Sequence, residues 1–88
     1  MDREVLDRYN EAIGLLQYRN PGYSFSGSFY HTDSGVGFEL YVVRPYNPDE
    51  FDWKSGKKLF KPMKNEEMAI KYFIKVSQNL VLKNMFNN

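Results

Sequence analysis

Along the first twenty residues, apolar side chains recur with the spacing of one helical face: Val5, Leu6, Tyr9, Ala12, Ile13 and Leu16. Asp7, Asn10, Glu11 and Gly14 fall on the opposite side. Asp2 can cap the start, and Glu4 suits the positive end of the helix dipole. Asn20-Pro21-Gly22 stops the helix, because Pro cannot continue it and Asn and Gly tolerate left-handed backbone. The period then changes from 3.6 to two. Tyr23, Phe25, Gly27, Phe29 and His31 alternate with Ser24, Ser26, Ser28, Tyr30 and Thr32, a half-buried strand with its aromatic side inward.

Asp33-Ser34-Gly35 is turn chemistry. A second strand is expected from Gly37 to Arg44, with Phe38, Leu40 and Val42 inward and Glu39, Tyr41 and Val43 outward. The two strands form an antiparallel hairpin, in which Gly27 leaves room for an aromatic ring or marks a bulge. From Pro45 to Pro62 the pattern is lost, and a loop leads either to a small hairpin or, the favoured reading, to one irregular third strand ending at Phe60. Asn65 then caps a last helix with Glu66 and Glu67 in its first turn and Lys83 near its end. Its apolar face is Ala69, Ile70, Phe73, Ile74, Val76, Leu80 and Val81, opposite Lys64, Lys71 and Lys75. The expected fold is a single α+β domain over residues 1–88, of order α-β-β-(β)-α, with both helices on one face of a short antiparallel sheet.

Composition narrows the class. Eighty-eight residues give one core, and 26% charged with 42% hydrophobic residues is an ordinary globular balance. There is no Cys, so disulfides and thiolate zinc sites are excluded and a reducing compartment is expected. No run reaches the ~18–20 apolar residues of a membrane span. Met1-Asp2-Arg3-Glu4 lacks the basic start of a signal peptide, so a cytoplasmic location is expected. Asn, Lys, Tyr and Phe are abundant while Ala occurs only at Ala12 and Ala69, a bias typical of AT-rich coding in some bacteria and their phages.

The net charge of +1 conceals a polarity. Residues 1–52 hold four Arg against nine acids, a net of −5; residues 53–88 hold eight Lys against two Glu, a net of +6. Such asymmetry marks either two halves that attract each other or a basic patch for a polyanion.

Catalytic constellations do not assemble. His31 is the one His, and strand alternation puts Ser24, Ser26 and Ser28 on the other face from it, so no nucleophile-base pair forms. Gly22-Tyr-Ser-Phe-Ser-Gly27 misses the spacing of a nucleophile elbow, and Gly56-Lys57-Lys58 lacks the upstream Gly and the Ser or Thr of a phosphate loop. Asp49, Glu50 and Asp52 cluster in the loop, but a calcium-loop register starting at Asn47 puts Phe51 at a ligand position. Neither metal nor cofactor is expected.

Two groups of residues have more content. Trp53, Lys54, Lys57, Lys58, Phe60, Lys61 and Lys64 interleave cations with rings, which can neutralise phosphates and stack on bases. The order α-β-β-β-α with lysines just before the last helix resembles double-stranded RNA-binding domains over most of the chain. Lys57, Lys58 and Lys61 are similar to that family's lysine cluster at the final helix, and His31 to the His of its first hairpin loop. The resemblance implies duplex RNA binding through Lys54, Lys57, Lys58, Lys61 and Lys64. The chain departs from the family in lacking a Gly-Pro before His31 and an alanine-rich last helix, and in carrying Glu66 and Glu67 where phosphates would lie.

Rings make the second group. Seven Tyr, seven Phe and one Trp exceed what one small core hides. Phe25, Phe29, Phe38 and Phe73 are assigned to the core, and Tyr30, Tyr41, Tyr46 and Trp53 to an exposed protein-binding surface. The leading expectation is therefore a non-enzymatic binding module, a regulator or inhibitor of phage-accessory type that occupies the surface of a larger protein. Nucleic-acid binding is the alternative. The chain is expected as a monomer, or as a homodimer through the strand edge at Tyr23–Thr32, which could equally pair with a partner strand.

Overall fold

The computed structural model describes residues 2–43 and 56–79. Helix α1 spans Arg3–Arg19, strand β1 Ser24–Thr32, β2 Gly35–Val43, β3 Gly56–Leu59 and helix α2 Glu66–Ser77. The sheet runs β1-β2-β3, with both pairings antiparallel. This is the expected α+β fold, and both helices pack on the same face.

Local chemistry sets the helix ends. The Asp2 carboxylate accepts from the Glu4 N–H, and Asn65 Oδ1 accepts from the Met68 N–H at 2.9 Å, each satisfying a donor that the first turn leaves unpaired. At the other end of α1, Asn20 donates through both its backbone N–H and its side chain to the Leu16 carbonyl. Val5, Ala12 and Leu16 are buried, but Leu6, assigned to the same face, remains 42% exposed. It lies about 100° round the helix from Val5, past the edge of the stripe that the sheet covers.

The hairpin turns on Asp33 and Ser34 alone, so Gly35 already pairs with Thr32 and β2 starts two residues earlier than the pattern predicted. Its register is continuous from Ser24↔Val43 to Thr32↔Gly35, without a bulge. Gly27 is instead a gap for rings: a Cβ there would collide with the Phe38 ring and come within 2.5 Å of the Tyr9 hydroxyl oxygen. The third strand exists but is short. After Leu59 the chain keeps to β2, with the Phe60 N–H donating to Phe38 O and Met63 exchanging two hydrogen bonds with Val36. Arg44, the loop residues 45–55, and Leu80, Val81 and Lys83 lie outside the described residues.

The core is aromatic. Phe38 stacks on Phe73 with centroids 4.3 Å apart, and Phe60 meets the pair at 6.0 and 5.4 Å, while Tyr9 reaches over from α1. Phe25, Leu40, Val42, Ala69 and Ile70 complete it, and Phe29 packs half-buried at its rim. Phe60 corrects the reading that put it among ligand-stacking rings. It is buried because the chain keeps pairing with β2 past Leu59, so alternation points Phe60 into the helix layer against the Phe38–Phe73 pair.

Candidate interaction surface

Alternation along β2 and β3 sends one set of side chains into the helix layer and the other to the opposite face, which no described element covers. On that open face Tyr41 stands opposite Ser26 on one side and Lys57 on the other, and Glu39 opposite Leu59. Tyr41, Val43 and Leu59 are 37, 50 and 52% exposed. These are large apolar groups on a flat three-strand surface, framed by one acid and one lysine. The Tyr41 hydroxyl donates to Glu39 Oε2 at 2.5 Å. That bond, then desolvation and the Glu39 charge, raises the Tyr41 phenol above its ordinary value, so the ring presents a neutral hydroxyl held in one orientation.

Tyr30 shares the open side by alternation yet departs from its assignment to an exposed surface. Its ring lies across Gly37, where any Cβ would collide with it, and its hydroxyl donates to the Phe60 carbonyl. The ring thus laces β1 over β2 to the end of β3 and is half-buried. Without side chain at position 37, the cross-strand neighbour folds flat instead of standing out. Tyr46 and Trp53 lie outside the described residues, as does Lys54.

The remaining lysines follow the chain from β3 to the start of α2. Lys57, Lys58, Lys61 and Lys64 are all exposed. Lys58 Nζ sits 5.8 Å from the Phe60 ring centre and Lys61 Nζ 5.1 Å from that of Tyr72. Those rings are committed to the core and its edge, so they steady the cations and leave no face for a base. Among the described residues, the ion pairs Arg8–Glu4 (3.4 Å) and Lys71–Glu67 (3.7 Å) each join one helix to itself, so they do not tie the acidic half to the basic one.

His31 is exposed on β1, and the serines of that strand point to the other face, as alternation requires. Among the described residues, no three His, Cys, Asp or Glu are grouped to hold a metal ion. No described helix is long and apolar enough to cross a membrane. Sequence reasoning missed Leu59 as a surface group and set Val43 outward without counting it in the binding surface. The signal for Val43 was present in its outward alternation, whereas Leu59 depended on a strand whose register the prolines obscured. No protein-family model, curated protein or solved structure matches this chain.

Proposed function

We propose that this chain is a non-enzymatic binding module that occupies the surface of a larger protein through its open sheet face and thereby regulates or inhibits it. The observation that carries this reading is the exposure of Tyr41, Val43 and Leu59 together on a face flanked by Glu39 and Lys57. An apolar centre with a tyrosine anchor and a charged rim is the anatomy of a protein-binding patch. The hydrogen bond to Glu39 fixes the ring before any partner arrives, which lowers the ordering cost of association. The absence of Cys and the AT-rich residue usage support a reducing cytoplasm and an accessory protein of phage type.

The test is capture of the native partner on immobilised protein, in parallel arms with and without nuclease. A stoichiometric protein band that weakens strongly with Tyr41→Ala and Leu59→Lys is the expected result. Recovery of nucleic acid alone, in the arm without nuclease, would support the lysine row instead.

A further inference from the structure

The two edges of the sheet are built differently. Strand β3 is four residues long and carries Lys57 and Lys58, the usual means of keeping an edge from pairing. Strand β1 is nine residues long and contains no Lys, Arg, Asp, Glu or Pro, and its pairing with β2 has no bulge. No described strand pairs with its outer side.

The groups on that edge can be assigned. Val36 and Phe38 bond towards Met63 and Phe60, so the odd-numbered residues of β2 bond towards β1, where they meet its even-numbered residues. The N–H and C=O of Phe25, Gly27, Phe29 and His31 therefore point away from the sheet. Above them is α1. Helix α2 packs on β2, and α1 on β1 and α2. Helices pack about 8–10 Å apart but strands only ~4.8 Å, so α1 overhangs the β1 edge by roughly one strand spacing. Arg8 and Leu15 of α1 line the cleft towards α2, and on the opposite flank Leu6 is exposed while Ile13 is half-buried against the rim of the core. Beside these two apolar residues the flank carries Asn10 and Gln17, which are polar but uncharged.

We propose that the β1 edge and the overhanging α1 flank take an extended segment of a partner protein as a fourth strand. The added strand hydrogen-bonds to Phe25, Gly27, Phe29 and His31, and alternate apolar side chains rise against Leu6 and Ile13. The neutral slot selects a segment without charge at those positions, since a buried unpaired charge is costly. A second copy of this chain fits poorly, because in a symmetric β1–β1 pair both α1 helices would claim the space above the junction. This inference goes beyond the open-face reading. It uses a different surface, and either can fail without the other.

The test is selection of random peptides of about twelve residues, displayed for binding to the full chain, followed by amide exchange on the bound complex. Enriched peptides should alternate apolar and polar residues, and the amides of Phe25, Gly27 and Phe29 should exchange at least about tenfold more slowly when bound. His31→Pro removes an edge donor without breaking the β2 ladder and should weaken binding about fivefold, the worth of one hydrogen bond. Leu6→Lys, at a position already 42% exposed, should weaken it roughly tenfold with the fold intact. No enrichment, peptides that ignore both variants but are lost on Leu59→Lys, or a free chain that sediments as a dimer with these amides already protected would each overturn the proposal.

Discussion

Phe73→Ala tests the packing on which the rest of the molecule stands. Phe73 is fully buried at the centre of the aromatic group, with ring centres at 4.3, 5.4 and 5.9 Å from Phe38, Phe60 and Tyr9. Truncating a buried Phe costs about 3–5 kcal/mol, from lost transfer energy plus the cavity left behind. The upper half of that range applies here. The surrounding rings come from strand β2, the segment after β3 and the other helix, so no single side chain can collapse into the hole. Small domains hold ~5–15 kcal/mol in total, so the variant should unfold at markedly lower urea with an unchanged slope. Equilibrium urea unfolding followed by far-ultraviolet circular dichroism measures this directly. A loss below about 1 kcal/mol would refute the reasoning, because a ring in this position cannot be removed at so small a cost.

Three further outcomes follow from the same geometry. Tyr30→Phe strands the Phe60 carbonyl and should cost about 0.5–1.5 kcal/mol in urea unfolding while leaving partner affinity unchanged, the reverse of what a contact residue would do. Burial raises the Tyr9 phenol above its ordinary value of 10.0, so its protonated form is favoured in the folded state; stability is full below that pH and falls as pH rises through the folded value, and Tyr9→Phe should remove this part of the alkaline loss in unfolding midpoints. Replacing Lys58, Lys61 and Lys64 together should not alter partner capture. Titration of the unmodified chain with labelled duplex RNA should show no steep salt dependence, whereas a log–log slope of several units would revive the polyanion reading.

What the sequence made legible was whatever obeyed a period. The two-residue alternation of β1 and β2 placed Phe25, Phe38, Leu40 and Val42 in the core and Tyr41 and Val43 outside, and the caps at Asp2 and Asn65 were readable from side-chain chemistry alone. Gly27, set between Phe25 and Phe29, announced a close approach of rings, and the rings are those of Phe38 and Tyr9. What stayed hidden depended on three-dimensional neighbours. Tyr30 has the alternation of an exposed residue, and it lies flat because Gly37 faces it and the Phe60 carbonyl receives its hydroxyl. Phe60 sits among lysines in the chain but against Phe38 and Phe73 in space, because the pairing with β2 continues past Leu59 and keeps it on the helix-facing side. Leu6 shows the converse, a periodic apolar residue left outside because two helices span more width than three strands provide.

The proposed contact with a protein partner has Tyr41 at its centre. A photoreactive phenylalanine in place of Tyr41, irradiated in nuclease-treated extract of the cells that make the protein, tests it most directly. The same group in place of Asp7, exposed on the far side of α1, serves as the control. One dominant protein adduct at position 41 and none at position 7 is the expected result. Adducts of equal yield and identity at both positions, or no protein adduct at position 41, would contradict it.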